Sequence, residues 1–257
     1  MSRSAQPLAI VSALPQELEL LREATQDRRG LKLAGGFRAW RGVLDGREVV
    51  LAESGIGKVA MAMLATELIL RHEPRLIVFT GVAGGLDPAL HIGDAVIARR
   101  LIQHDAGLLQ PDGLQVYQAG HLPFFNPTDE LGFEPPEDLL GRAIESMRGV
   151  DLQPVSDRPP QVGAGLVLTG DVFVNSPAMR RQLFARFGAQ AVEMEGAALA
   201  QVAHHFDVPT LVIRALSDLA GEEAPSPGVF HHFLDVASAN SAHVVRHLLP
   251  VLWENAP

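Results

Sequence analysis

Four short stretches of the sequence place acids or glycines directly after apolar runs, where α/β proteins usually carry their ligands. Residues 13–17 end in a glutamate just after a proline, and residues 80–85 form a glycine-rich turn. Residues 191–197 hold two carboxylates two positions apart, and residues 213–218 end in a cation, a hydroxyl and an acid. Such residue types suit general acid–base catalysis and the binding of a ligand's hydroxyl groups.

Each stretch also has a structural explanation when it is taken alone. Glu17 would be favourably placed in the first turn of a helix, and the glycines would simply allow a tight turn. Arg214 and Asp218 could form an ion pair at the end of a strand. Glu193 and Glu195 are harder to explain in this way, because acids among apolar neighbours are seldom buried without partners.

The elements that must position these residues follow from the hydrophobic pattern. Apolar runs bounded by turn residues predict buried strands at residues 8–14, 48–52, 76–80, 94–102, 165–169 and 210–216. Helical patterns lie at residues 58–72, 177–187, 195–206 and 230–252. This alternation predicts an α/β fold, with one domain over residues 1–257 and helices on both faces of a central sheet. The turn at Asp45-Gly46 predicts a hairpin and therefore a mixed sheet.

Residues 107–138 resist assignment to a helix or strand. Five prolines lie there among aromatic residues, and the segment is too apolar for a plain linker. Long loops in compact domains are usually functional or disordered, so we expect a lid or a subunit contact. Residues 155–161 are polar and rich in proline, and are expected to form a surface connector.

Composition narrows the class of partner. The chain has 257 residues and a net charge of −9, without a basic run that could follow a phosphate backbone, so nucleic acid polymers are not expected. The absence of cysteine excludes disulfides, Cys-ligated zinc and thiol nucleophiles, and favours a reducing compartment such as the cytoplasm. We expect no targeting signal and no membrane segment, and a small molecule as ligand.

Ten histidines include the adjacent pairs at 204–205 and 231–232. Adjacent residues on a helix point in different directions, and no third ligand is spaced to converge on either pair. We therefore expect surface or interface histidines, with no metal and no cofactor.

Together, the four stretches resemble the 5′-methylthioadenosine/S-adenosylhomocysteine nucleosidases of the nucleoside phosphorylase/hydrolase superfamily. The resemblance extends to Ser-Gly-Ile-Gly-Lys-Val at residues 54–59, His-Asp-Ala at 104–106 and Thr-Gly-Asp-x-Phe at 169–173. It covers nearly the whole chain except residues 107–138 and the termini. It implies a nucleoside phosphorylase-like fold and hydrolysis of the N-glycosidic bond of 5′-substituted adenine nucleosides.

The resemblance also implies a role for individual residues in cleavage of the bond. Glu17 matches the base that activates water, and Asp218 matches the acid that donates a proton to N7 of the purine while Ser217 holds it. Glu195 matches the group that binds the ribose hydroxyls, and Arg214 would orient the carboxylates and the water.

Other matching positions would shape the pocket around the nucleoside. Glu193 would support Glu195, Met194 would contribute its backbone and pack beneath the sugar, and Phe173 would stack on the base. The Val174 backbone would read the edge of the base. The glycine turn contributes Val82, Ala83 and Gly84 to substrate binding.

Two departures from the family pattern concern the water and the 5′-substituent. Val82 stands where relatives usually carry Ser or Thr, so one hydroxyl near the water is missing. Residues 107–138 do not follow the family sequence, although in relatives this region borders the 5′ pocket of the neighbouring subunit. By resemblance we expect a homodimer in which Pro123, Phe124 and Phe125 have that position.

Three alternatives stay open at this point. A hydrolase of futalosine-type nucleosides would share all the catalytic residues, a phosphorylase would use phosphate instead of water, and a nucleoside-binding protein would use no chemistry. Residues 12–18 contain no Arg or Lys and include Glu17, so a phosphate dianion would be repelled there. The sequence therefore predicts hydrolysis that does not depend on phosphate.

Overall fold

A computed structural model describes residues 6–155, 157–221 and 227–254, without the side chains of 227–232 and 254. The strands are β1 Leu8–Ser12, β2 Gln26–Lys32, β3 Arg38–Leu44, β4 Arg47–Glu53, β5 Leu76–Gly85, β6 Ala95–Gln103, β7 Gly107–Gln110, β8 Gly113–Val116, β9 Val162–Thr169, β10 Ala191–Glu193 and β11 Thr210–Asp218. The helices are α1 Pro15–Ala24, α2 Lys58–His72, α3 Glu137–Ser146, α4 Pro177–Phe187, α5 Gly196–His205 and α6 Pro227–Glu254.

The described strands form one large mixed sheet and one small hairpin. The large sheet has nine strands in the order β10-β9-β6-β11-β5-β1-β4-β3-β2. It curls so far that β10 also pairs with the end of β5, where Val192 lies opposite Gly84. This closure joins the acidic stretch at 191–197 to the glycine turn at 80–85, which lie more than 100 positions apart in the chain.

Helices cover both faces of the sheet, as the strand–helix alternation predicts. On one face α1, α3 and α6 pack over an apolar core that includes Leu18, Leu139 and Leu248. On the other face α2 and α5 pack over a second core that includes Leu64 and Leu199. The fold is therefore a three-layer α/β/α architecture of the nucleoside phosphorylase type.

The buried parts of the fold follow the sequence-based expectations closely. The helix α4 has the predicted bounds, and α2 and α5 agree within one residue at each end. The hairpin at Asp45-Gly46 joins β3 to β4, with both turn residues at positive φ. Strand β2 is absent from the prediction because Gln26–Lys32 is polar and almost fully exposed, so it carries no hydrophobic pattern.

Residues 107–138 are more regular than a long loop, so that part of the expectation is wrong, while a lid or a subunit contact stays a prediction. The segment opens with the β7–β8 hairpin and ends in the first turn of α3. Pro111 and Asp112 make the hairpin turn and Gly113 begins β8, and a Pro-Asp-Gly sequence is a recognised turn signal. Tyr117 then receives the N–H of Thr128 at 2.8 Å and donates to its carbonyl at 2.6 Å.

Several expectations concern residues at the limits of the described chain. Residues 1–5 and Ser156, which belong to the predicted polar N-terminus and to the 155–161 connector, lie outside the described residues. Within the described part, none of the helices is both long enough and apolar enough to cross a membrane.

Candidate active site

A pocket opens where the carboxyl ends of β1, β5, β10 and β11 meet. Eleven of the twelve residues that the sequence singles out line this pocket. These are Glu17, Val82, Ala83, Gly84, Phe173, Val174, Glu193, Met194, Glu195, Ser217 and Asp218. The twelfth, Arg214, lies on the buried part of β11 and contacts the lining from behind.

Glu17 is held rigidly at the start of α1. Pro15 occupies the first turn of the helix, as expected, and the Glu17 side chain is only 2% exposed. Its carboxylate accepts the N–H groups of Ala13 at 3.0 Å, Leu14 at 2.7 Å and Val82 at 2.9 Å. Burial raises the pKa of Glu17, although the Arg214 charge and these N–H groups oppose the rise.

Arg214 forms a buried ion pair with Glu193 rather than with Asp218. Its Nη2 donates to Glu193 Oε2 at 2.6 Å, and its guanidinium lies 3.5 Å from the centre of the Phe79 ring. Glu193 also accepts a hydrogen bond from Thr169 and the N–H groups of Glu195 and Gly196. With its oxygens fully engaged, Glu193 serves to orient the arginine.

The second guanidinium nitrogen of Arg214, Nη1, has no hydrogen-bond partner within the described chain. A side chain at position 81 would collide with both this nitrogen and the Glu17 carboxylate, so the two groups flank the same point beside Gly81. A buried donor and a buried acceptor at one point can both be satisfied by a bound water.

Glu195 is the more adaptable of the two neighbouring carboxylates. Its Oε1 accepts the Gly57 N–H at 2.7 Å, while its Oε2 is 3.9 Å from Arg214 Nη2. Burial and the Glu193 charge raise the pKa of Glu195 to about 8, against the opposing effects of Arg214 and the Gly57 N–H. Among the described contacts Oε2 accepts no hydrogen bond, so it is available to a ligand hydroxyl.

Asp218 ends β11 in a more open position. Its Oδ1 accepts the N–H of Ala220 at 2.8 Å, and Ser217 Oγ lies 3.0 Å from its Oδ2. Oδ1 is also 3.1 Å from the point where a side chain at Gly84 would begin, so Asp218 stands at the far end of the glycine turn from Glu17. Positions 81 and 84 are three steps apart along the strand, which corresponds to about 10 Å between their Cα atoms.

Aromatic and apolar groups form the outer wall of the pocket. Phe173 is 62% exposed on the loop after β9, whereas Val174 beside it is buried. Met194 lies half-buried between the two glutamates. Phe124 and Phe125 are strongly exposed and do not line the pocket of this chain.

The structure adds residues that the sequence pattern does not indicate. Ile56 and Leu234 line the pocket, and Ser241 Oγ accepts the Gly81 N–H at 3.0 Å, which fixes the glycine turn against α6. Ile56 lies within the Ser-Gly-Ile-Gly motif, which could have suggested it. Leu234 and Ser241 belong to a helix with an ordinary amphipathic pattern, so only the tertiary structure identifies them.

The histidine pair at 204–205 does not gather ligands for a metal. Among the described residues, groups of three or more His, Cys, Asp or Glu side chains suited to bind an ion are absent. His204 packs against Phe133 and His205 at ring distances of 5.7 and 5.9 Å. The side chains of His231 and His232 lie outside the described residues.

Comparisons with known proteins agree on one family. Residues 7–250 match the phosphorylase superfamily. The 5′-methylthioadenosine/S-adenosylhomocysteine nucleosidase of Mycobacterium tuberculosis is 45% identical over 252 residues, which cover 95% of this chain and 97% of that protein. The corresponding nucleosidase of Tolumonas auensis is 37% identical over 246 residues, with coverage of 95% and 99%.

Two solved structures share the fold closely. The nucleosidase from Neisseria meningitidis in complex with methylthio-immucillin-A has a TM-score of 0.80 and 34% identity, covering 96% of this chain and 100% of that one. The futalosine hydrolase of Helicobacter pylori has a TM-score of 0.81 and 32% identity, covering 98% and 100%. This chain belongs to the phosphorylase superfamily and, within it, to the 5′-methylthioadenosine/S-adenosylhomocysteine nucleosidase family.

Proposed function

We propose that this protein hydrolyses the N-glycosidic bond of 5′-substituted adenine nucleosides, 5′-methylthioadenosine and S-adenosylhomocysteine, and releases adenine. One observation carries the proposal. A single pocket presents a buried carboxylate, Glu17, at one end of the glycine turn and a half-buried one, Asp218, at the other. The glycine turn between them spans about 10 Å from residue 81 to residue 84, which leaves room for a sugar ring and a water along it.

Asp218 is proposed as the general acid. The Ala220 N–H donates to Oδ1 and the Ser217 hydroxyl donates to Oδ2, so both neighbours orient the carboxyl group, which as the acid would carry a proton. Ser217 Oγ stands next to Oδ2 and supports its orientation. Donation of this proton to N7 of the purine neutralises the charge that develops on the departing base.

Glu17 is proposed as the base that activates water. The Glu17 carboxylate and Arg214 Nη1 both lie beside Gly81, so a water in contact with the two groups would donate to the first and accept from the second. Val82 supplies its N–H to Glu17 even though its side chain lacks the hydroxyl that relatives usually carry. The catalytic base is therefore oriented by backbone groups, which a substitution at position 82 leaves in place.

Glu195 is proposed to bind the ribose hydroxyls through Oε2. In its ionised form, whose share grows as the pH rises through about 8, Glu195 would also stabilise the positive charge that develops on the sugar. Met194 would pack beneath the sugar, and Phe173 would stack on the base with Val174 at its edge. Arg214 and Glu193 act behind this surface by fixing the direction of the carboxylates.

Hydrolysis and phosphorolysis can be separated directly. The protein should release adenine from 5′-methylthioadenosine equally well in phosphate-free buffer and with millimolar phosphate, and the sugar product should be free 5-methylthioribose. A requirement for phosphate, or a sugar 1-phosphate as the main product, would reassign the chain to the phosphorylases.

The same assay addresses the second candidate. The likeness to a futalosine hydrolase gives that activity a specific basis, so futalosine and inosine belong in the substrate panel beside 5′-methylthioadenosine and S-adenosylhomocysteine. We expect the two adenine nucleosides to have the highest kcat/KM. A preference for futalosine would leave the proposed acid, the proposed base and the family unchanged, and would change only the proposed substrate.

A homodimer and a cytoplasmic location are parts of the proposal. The dimer is supported by the exposed Phe124 and Phe125, which a turn locked by Asn126 holds outward through hydrogen bonds at 2.9 Å with Leu122 and Gly120. A sequence without cysteine suits a reducing compartment. A fully active monomer at micromolar concentration in sedimentation would contradict the dimer, and cell fractionation tests the location.

A further inference from the structure

Three motifs of the sequence each contain a charged residue that has no part in the chemistry described so far, and these residues meet at one place. The motifs are the start of α2 in the Ser-Gly-Ile-Gly-Lys motif, the His-Asp turn after β6 and the Gly-Asp turn after β9. Each contributes one charged residue to a cluster at the rim of the pocket. These residues are Lys58, Asp105 and Asp171.

The cluster is a closed ring of hydrogen bonds. The Lys58 N–H donates to Asp171 Oδ1 at 2.8 Å, the Asp171 N–H donates to Asp105 Oδ2 at 2.9 Å, and Lys58 Nζ donates to Asp105 Oδ1 at 2.8 Å. Asp171 thereby caps the N-terminus of α2 from a different loop. Because each bond joins two of the three segments, none of them can shift without breaking the ring.

The ring lies directly behind two groups of the pocket. Gly57 precedes Lys58 and donates its N–H to Glu195, and Phe173 follows two residues after Asp171. Gly57 has φ +99° and a side chain there would begin 3.1 Å from Asp171 Oδ1, so the backbone at this point is close to the ring. A movement of this hydrogen-bonded cluster would therefore displace the Gly57 N–H that donates to Glu195. It would also displace the Phe173 side chain that faces the base.

His104 contacts the same Gly-Asp turn after β9. Its N–H donates to the Thr169 carbonyl at 2.9 Å, and its imidazole occupies the space beside Gly170 where any side chain would collide. Burial lowers the pKa of His104, so the ring is neutral at physiological pH. The neutral imidazole fills the space beside Gly170 and so fixes the position of the Asp171 turn without adding a charge.

We infer that Asp105, through Lys58 and Asp171, is a positioning residue that holds the Gly57 donor to Glu195 and the Phe173 loop in register. The inference rests on the proposed function for the identity of the ligand. If Asp105 contributed only to stability, one of the two ion pairs of Lys58 would be enough. The ring instead fixes two loops on either side of the same pocket, and both contribute to its lining through Ile56 and Val172.

The test compares Asp105→Asn with Asp45→Asn. Asp45 makes an equivalent pair with Arg246, with contacts of 2.8 and 2.9 Å, in the β3–β4 turn at the opposite edge of the sheet. We expect Asp105→Asn to lower kcat/KM for 5′-methylthioadenosine about tenfold, and Asp45→Asn to leave it unchanged. Because both pairs are partly exposed, the two variants should lose similar, small amounts of stability.

A double-mutant cycle with Glu195→Gln separates positioning from a general effect. If Asp105 acts through the Gly57 N–H and Glu195, its loss should cost much less in a protein that already lacks the Glu195 carboxylate. Lys58→Ala should likewise add little to Asp105→Asn. Fully additive losses, or kcat/KM within twofold of wild type in Asp105→Asn, would overturn the inference.

Amide hydrogen exchange gives a readout without a substrate. In Asp105→Asn, exchange should become faster in residues 55–58 and 170–173 together, and Asp45→Asn should change neither segment. Faster exchange around residue 105 alone would overturn the inference. A wild-type protein that cleaves no nucleoside, combined with coupled exchange in both segments, would instead refute the proposed function and keep the positioning role.

Discussion

The two ends of the pocket differ in how their carboxylates are held. At the Glu17 end the acid is 2% exposed, accepts three backbone N–H groups and lies beside a buried arginine. At the Asp218 end the acid is half-buried, accepts one backbone N–H and faces a loop whose Phe173 is largely exposed. One end is built into the core of the sheet, and the other is open to solvent.

This difference indicates a division of tasks. Groups that act on water and on the sugar must be fixed before the substrate arrives, since an oriented dipole stabilises developing charge without reorganisation. Groups that meet the base must admit different ligands, and Phe173 lies on a loop at the open end. We therefore expect the core to determine the reaction and the open end to determine the substrate.

The largest effect is expected for Glu17→Gln. The amide keeps the size of the side chain but cannot accept a proton from water. We expect turnover to fall by about 10⁴-fold, the upper end of the range for general acid–base catalysis. Adenine release measures it, with Glu19→Gln on the exposed face of α1 as control. A loss below tenfold would remove Glu17 from the mechanism.

Asp218→Asn should cost less, about 10²-fold, because an acid at the open end can be replaced in part by solvent. Nucleoside binding, measured by calorimetry, should be retained since the amide preserves shape. Near wild-type turnover would exclude Asp218 as the acid. A larger loss than in Glu17→Gln would reverse the comparison between the buried and the open end.

Phe173→Ala tests whether the open end governs binding alone. Loss of a stacked ring costs about 1–3 kcal/mol per base, so KM for 5′-methylthioadenosine should rise at least fivefold, while kcat changes little. Phe206→Ala, at an exposed ring after α5, is the matched control. A fall in kcat with KM unchanged would show that this ring acts in the transition state.

The smallest effect concerns stability and its dependence on pH. The folded pKa of Glu195, about 8, exceeds the unfolded value, so its favourable contribution is complete below the unfolded pKa and is lost as pH rises through about 8. Glu195→Gln should therefore raise Tm by a few degrees at pH 8.5 and hardly at pH 5, while activity falls. Glu145→Gln on an exposed helix face is the control, and a Tm gain that does not grow with pH would contradict the explanation.

Much of the fold could be read from the sequence because its buried strands are strongly apolar. The apolar run that forms β5, and the alternation of helix and strand patterns around β11, leave little choice of secondary structure. Strand β2 and the β7–β8 hairpin carry polar or exposed residues, and their pairing depends on neighbours that only the folded chain provides. Helix α3 follows two prolines, which obscured its Leu139, Leu140 and Ala143 face.

The sequence by itself determined which residues stand at the strand ends and which family pattern they follow, because those features depend on residue type and order along the chain. Only the tertiary structure decided which of these residues contact one another. The curled sheet pairs β10 with β5. In the folded chain Arg214 forms its ion pair with Glu193 rather than with Asp218, and the Gly57 N–H donates to Glu195. These contacts join residues 21 to 138 positions apart, and a local pattern cannot encode the direction of a buried side chain toward so distant a partner.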